Sequence, residues 1–510
     1  PVQITACPWC GTKIDVTGYD IDKSGMTIRC KDNPKCEFYS RLPIYVVDDD
    51  IYMQRPTLLL STIDKFARIA WVEETSNLFG VRDNPPSLII QDELHLISGS
   101  LGSLAGIYEI AVDYLCQKDG ISPKIIASTA TVKNADEQIR NLYNKKFTQF
   151  PPSGISFNDS FFSHIASKEE RPARTYVGLC SSGGSMADLL IRVYAVLMFT
   201  KELFAKQGKS DAVRDQYYTI IGYFNAIRDL GATATILSDR MYTHIRSLIQ
   251  HKFKELSQSL EIEKTRMFYP NEELTSRKSA KEIKETLQKL EIKCSEKGCY
   301  SYVLASNMLS VGIDINRLGL MTVYNQPKTN AEYIQATSRV GRQNPGIVLS
   351  MYNCMRSRDK SHYEQFGFYH KTFYQYVEAT SVTPCSERAL EKALHCIFVS
   401  MVRLTTIWGG NDSAVYFKLN NIEVNRIKEY ILRRVKEIKP NAEEFALKYL
   451  SDICDAWEEL AKDYPNLHYF HKDKPSLFSS AEEGAELDFP TILNSLRNVE
   501  PSSNVYVQGR

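Results

Sequence analysis

The sequence predicts an α/β protein with two parallel-sheet lobes, the first incomplete, a small cysteine-rich module in front and a helical C-terminal region behind. Three observations carry that expectation. Short apolar runs at Thr57–Leu60, Leu88–Ile90 and Lys124–Ala127 alternate with helical stretches at Ser61–Trp71 and Ser103–Cys116, as parallel strands buried on both faces do. The alternation resumes later, with strands expected at Tyr218–Tyr223, Ser301–Ala305, Leu320–Tyr324 and Ile347–Met351. Two polar clusters, Asp92-Glu93 and Gln335 to Arg342, sit at the ends of such elements, one in each alternation.

These elements divide the chain at 1–40 (zinc-knuckle module), 41–150 (first lobe), 151–215 (helical linker), 216–355 (second lobe) and 356–510 (helical region). Pro151-Pro-Ser-Gly154 marks the first break, and Ser185–Ala205 reads as a long apolar helix packed between lobes. The Lys- and Glu-rich stretch Tyr242–Lys293 reads as a solvated helical face. Helices follow at Glu387–Leu404 and Val424–Lys436.

With 43% hydrophobic and 24% charged residues, the 510-residue composition is that of a globular protein. A net charge of +1 offers no bulk attraction to nucleic acid, so any such contact needs a local groove. Asp188, Arg192, Lys201 and Glu202 interrupt the most apolar long segment, which makes a poor membrane span. Twelve cysteines in a chain of this length suit a reducing compartment, and the expected location is the cytoplasm.

Ser87-Leu-Ile-Ile-Gln-Asp-Glu-Leu-His95 brings two carboxylates to a strand end. There Asp92 can hold Mg²⁺ through water and Glu93 can orient or deprotonate an attacking water. The plainer reading is an acidic pair capping the next helix. If 331–341 is helical, Gln335, Arg339 and Arg342 share one face, and the guanidiniums can stabilise charge on a phosphoryl group in transfer; the plainer reading is surface salt bridges. Ser128 and Thr131, in Ser128-Thr-Ala-Thr131, can bond a metal-site carboxylate and couple the lobes, or simply cap a helix. Gly312 allows close backbone approach, and Asp314 can accept from a ribose hydroxyl or an arginine.

Cys7, Cys10, Cys30 and Cys36 have the spacing Cys-x₂-Cys-x₁₉-Cys-x₅-Cys, which suits a closed structural Zn²⁺ site. A phosphate-cradling Gly-x-x-x-x-Gly-Lys-Ser/Thr loop is expected before the Asp-Glu strand, and nothing in 1–91 resembles it. Gly208-Lys-Ser210 is a decoy, since it follows the carboxylates and position 203 is Leu.

As a set, these segments resemble the superfamily 2 helicases. Asp92-Glu-Leu-His95 is similar to their second motif and Ser128–Thr131 to the third; Tyr223-Phe-Asn225 falls at the fourth, Ser306–Asp314 at the fifth and Gln335–Arg342 at the sixth. The resemblance implies two RecA-like lobes, ATP with Mg²⁺, and a DNA track. It places Ser61, Thr62, Ser306 and Asn307 at the DNA backbone and gives His95 a coupling role. Within the superfamily, the cysteine module ahead of Ser61-Thr-Ile-Asp-Lys-Phe66 and the run Asp92–Gly102 look like the helicase subunit of the bacterial DISARM phage-defence system. That implies a partner subunit in a defence complex and no membrane. It also implies that Pro1 lies inside the first lobe, the chain being the C-terminal portion of something longer. The expected activity is ATP-driven DNA unwinding or translocation. The rivals are a DNA-binding scaffold with a vestigial or partner-completed ATPase and, third, a zinc-dependent nuclease, disfavoured because four cysteines leave no open metal position.

Overall fold

The computed structural model describes residues 2–497 apart from 24, 81–83, 130–134, 153, 156–160, 163, 165, 168, 171–172, 182, 263–268, 307–314 and 481–486. The chain forms two compact units, one of Pro1–Thr148 with Ala379–Arg510 and the other of Gln149–Glu378.

The first unit opens with the cysteine module, where β1 (Tyr19–Asp22) and β2 (Gly25–Ile28) pair antiparallel around Ile14, Ile28 and Leu42. β3 (Leu88–Gln91) and β4 (Lys124–Ala127) then pair in parallel. Burial on both faces was expected for these strands, but it alternates: Leu88, Ile90 and Ile126 are exposed while Ile89 and Ile125 pack inward. Thr57–Leu60, expected as a strand, pairs with nothing regular, and Leu60 is 86% exposed. An apolar run becomes a strand only when a neighbour takes its backbone groups. Ser61–Trp71, expected as an α-helix, holds a 3-10 turn at Ile63–Ile69.

The helix Gly99–Leu115 is buried almost all round because the helix Glu387–Thr405 packs along it. Tyr108 Oη lies 3.0 Å from Cys396 Sγ, across 288 residues of sequence. The helices Ile422–Ile438 and Glu443–Asp463 complete this core, in which Trp457 stacks on Phe417 at 4.1 Å. The C-terminal region is thus divided: 356–378 belongs to the second unit, and residues from Ala379 onward build the first.

The second unit is a six-stranded parallel sheet in the order β5-β10-β9-β6-β8-β7. Its strands are β5 (Arg174–Cys180), β6 (Ile220–Phe224), β7 (Asn271–Leu274), β8 (Tyr302–Ala305), β9 (Leu320–Tyr324) and β10 (Gly346–Tyr352). Alternate residues feed opposite cores, Ile221 and Tyr223 on one face, Ile220 and Phe224 on the other. The four central strands are those expected. Both edges were missed: β5 lies inside the span read as a helical linker, and β7 (Asn-Glu-Glu-Leu) inside the charged stretch. Edge strands are half-solvated and carry weak apolar patterns. The helix Met186–Lys206 was expected between lobes, but it packs against this sheet: Tyr194 Oη lies 2.9 Å from Thr322 Oγ1. A Cβ at Gly222 would lie 2.4 Å from that same hydroxyl, so only glycine lets the tyrosine approach. Cys180, at the end of β5, is disulfide-bonded to Cys354, just beyond β10, although the cysteine usage was read as that of a reducing compartment.

Candidate functional site

In the first unit, β3 delivers the carboxylates to its C-terminal end, where ligands of parallel sheets gather. Asp92 Oδ1 accepts from the Ser128 hydroxyl, across from β4, and from the Glu93 amide at 3.0 Å. The main chain repeats the link, Leu94 N donating to Ser128 O at 2.9 Å and Ser128 N to Gln91 O at 2.9 Å. Asp92 is therefore oriented by the segment predicted to sense it.

Glu93 has φ +51, a left-handed conformation that costs an L-residue about 1 kcal/mol or more. Its carboxylate Oε2 lies 3.3 Å from His95 Nδ1, which is also 3.3 Å from Thr129 Oγ1. His95 thus joins the carboxylate to the Ser-Thr segment. The strained turn is pinned from below by a residue the sequence did not single out. Gln138, 1% exposed, donates through Nε2 to Leu94 O at 3.1 Å and to Ile97 O at 2.8 Å. No local signal marks it, since a glutamine on a short helix is ordinary. Ser61 and Thr62 are exposed in the same unit, Ser61 Oγ donating to Thr62 O. Thr131 lies outside the described residues.

In the second unit, the arginine segment differs from its expected form. The helix runs only from Asn330 to Thr337, so Arg339 and Arg342 lie beyond it and share no helical face with Gln335. The helix tightens, with Arg339 N donating to Ala336 O at 3.2 Å. Gly341 N then donates to Leu318 O at 2.8 Å, drawing the chain toward β9. Gly341 has φ +66, and a Cβ there would lie 2.7 Å from Gly346 Cα, so this position demands glycine. Arg174 Nε donates to Val340 O at 2.7 Å, so β5, the missed edge strand, braces the arginine turn. Gln335, Arg339 and Arg342 are half-buried. Ser306, just beyond β8, is only 3% exposed, while Asn307, Gly312 and Asp314 lie outside the described residues.

The sulfur atoms of Cys7, Cys10, Cys30 and Cys36 all lie within 4.8 Å of one another. Cys10 and Cys30 are 3.4 Å apart, Cys7 and Cys36 3.9 Å. Four thiolates about 2.3 Å from one Zn²⁺ would be roughly 3.8 Å apart, so the set fits a tetrahedral ion. Hydrogen bonds from Thr12 pull the Cys10 thiol down to about 6, whereas burial pushes Cys30 up to about 12.

A parallel sheet, a strand-end Asp-Glu pair tied to a Ser-Thr segment and a glycine-bent arginine turn are the features by which the chain resembles the superfamily 2 helicases, and the comparisons bear that resemblance out. Residues 234–344 match the helicase conserved C-terminal domain. Over 561 aligned residues the chain is 37% identical to the DISARM protein DrmA of Bacillus paralicheniformis, covering 99% of this chain and 49% of that protein. The chain thus spans about half the length of that relative. Among solved structures, the DUF1998 helicase MrfA bound to DNA and AMPPNP is 18% identical with TM-score 0.47, over 69% of this chain and 42% of that one. The Mycobacterium smegmatis helicase Lhr bound to ssDNA and AMP-PNP is 14% identical with TM-score 0.45, over 70% and 40%. Among the described residues no helix is long and apolar enough to cross a membrane.

Proposed function

We propose that this chain carries the hydrolytic carboxylates and the arginine turn of an ATP-dependent DNA helicase or translocase acting in bacterial antiviral defence. The observation that supports it most is Asp92 held at a strand end by Ser128, beside a Glu93 kept in a left-handed turn. In this reading Asp92 holds the nucleotide's Mg²⁺, and Glu93 takes the proton of the attacking water. The Mg²⁺, when bound, supplies charge neutralisation at the phosphates. Arg339 and Arg342 oppose the γ-phosphate charge, with Gln335 positioning it, and Gly312 and Asp314 meet the nucleotide. Ser128, Thr131 and His95 couple hydrolysis to movement, while Ser61, Thr62 and Asn307 meet the DNA backbone. The four cysteines hold a structural Zn²⁺ that crosslinks their module. A partner subunit completes the defence complex.

The test is Glu93→Gln in the assembly that contains the phosphate loop. ATP binding should persist while hydrolysis falls by roughly 10²–10⁴-fold, the range for a positioned general base. Unchanged turnover would sink the assignment. A second reading is a DNA-binding scaffold with a vestigial or partner-completed ATPase. DNA affinity measured with and without ATP separates the two, because only a motor changes affinity through its nucleotide cycle.

A further inference from the structure

Residues 355–378 of the second unit carry aromatic rings at positions their own packing does not use. Phe366, Tyr369, Phe373 and Val377, spaced three and four apart, face inward, and Phe366 packs so closely on β5 that a Cβ at Gly178 would lie 2.7 Å from its ring. The remaining positions of such a segment ordinarily carry polar residues. Here they hold Tyr363 (41% exposed), Phe368 (59%), Tyr374 (51%) and Tyr376 (56%). The rings of Phe368 and Tyr376 are neighbours, 6.5 Å apart.

The charges between these rings favour a polyanion. Arg356, Arg358, Lys360 and Lys371 are exposed, against two exposed carboxylates, Glu364 and Glu378. Glu364 pairs with Lys360 at 3.7 Å, which offsets both, while Glu378, held by the neutral Asn330 amide at 2.8 Å, keeps its charge, so Arg356, Arg358 and Lys371 face one carboxylate. Arg358 donates to the neutral carbonyls of Pro327 and Lys328, so its charge is not cancelled there. Asp359 is buried and accepts from the Gln326 and Asn353 amides, so it adds no surface charge. In a chain of net charge +1, this is a local cationic surface set with aromatic faces.

We propose that Phe368 and Tyr376, with Lys371, form a stacking platform for the bases of a single-stranded nucleic acid. The inference rests on the nucleic-acid reading above and adds to it a sequence-tolerant grip through base faces, with the cations meeting phosphates. Duplex DNA, whose bases are already stacked, gains nothing from such rings.

The test uses the 510-residue chain and a fluorescently labelled oligothymidylate. The Phe368→Ala/Tyr376→Ala double variant should lose roughly tenfold or more of its single-strand affinity, while Tyr376→Phe, which keeps the ring, should retain it. Duplex affinity should be unchanged. As an independent readout, the fluorescence of the Phe368→Trp variant should be quenched by the oligonucleotide. If the chain binds single strands but the double variant binds them equally well and no quenching occurs, this platform is refuted and the rings are a protein-docking surface. If the chain binds neither single strands nor duplex, the nucleic-acid reading falls with it.

Discussion

Replacing Gln138 probes how the carboxylate turn is held. Its side chain amide donates to two buried carbonyls: Leu94 O, which also accepts from Ile97 N at 3.0 Å, and Ile97 O, which has no other donor among the described contacts. Losing two such bonds costs about 1 kcal/mol each, and the bare buried carbonyl of Ile97 adds to that. The opposing term is that Gln138 Oε1 is itself buried with no partner, so substitution also removes one unsatisfied acceptor. The balance is a loss of about 1–3 kcal/mol, or roughly 2–10 °C in the melting of a unit this size. Gln138→Leu keeps most of the volume and discards the donors, so it should destabilise nearly as much as Gln138→Ala. Amide exchange gives the local signature: protection at Leu96 and Ile97, whose N–H groups bond Glu93 O and Leu94 O, should fall more than the unit as a whole. A Leu variant as stable as the parent, with unchanged protection at these amides, would refute the argument that hydrogen bonds hold the strained Glu93.

Other perturbations have equally definite outcomes. Glu109, fully buried in the helix Gly99–Leu115, is pushed up to about 7 by burial. Its folded value lies above the ordinary 4.5, so its contribution to stability is intact below about pH 4.5 and is lost as pH rises through 7, by about 3 kcal/mol in all. Glu109→Gln should therefore gain stability over the parent between pH 5 and 8 in urea titrations; parallel curves would contradict this. Gly341→Ala forces a left-handed L-residue against Gly346 and should cost about 2 kcal/mol or more, measured by thermal unfolding. Mass spectrometry under native conditions should find one zinc per chain, and Cys36→Ser should release it; retention of full zinc by that variant would exclude the four-cysteine site.

Much of the candidate site was legible because its signals are local. Asp92 and Glu93 follow an apolar run directly, and the strand β3 forms where that run lies. The four cysteines announce themselves by type and spacing, and their sulfur atoms converge. Two of the C-terminal helices follow their apolar periodicity to within a residue or two, Glu387–Thr405 and Ile422–Ile438. The misses are of another kind. The helical phase from Gln335 to Arg342 was extrapolated past Thr337, but the chain is turned out of the helix when Gly341 bonds Leu318, 23 positions earlier. Gln138 was invisible because its partners are carbonyls more than forty residues away.

By itself, then, the sequence determined where the carboxylates follow a strand, where the central strands of the second unit and two of the C-terminal helices lie, and which cysteines could share an ion, because composition, spacing and periodicity act within a few turns of chain. Only the tertiary structure decided that residues from Ala379 onward build the core of the first unit, that β5 and β7 are strands, and that Leu58, Leu59 and Leu60 stay exposed. A strand and a buried face exist only in relation to a partner, and a sequence does not say how far along the chain that partner lies.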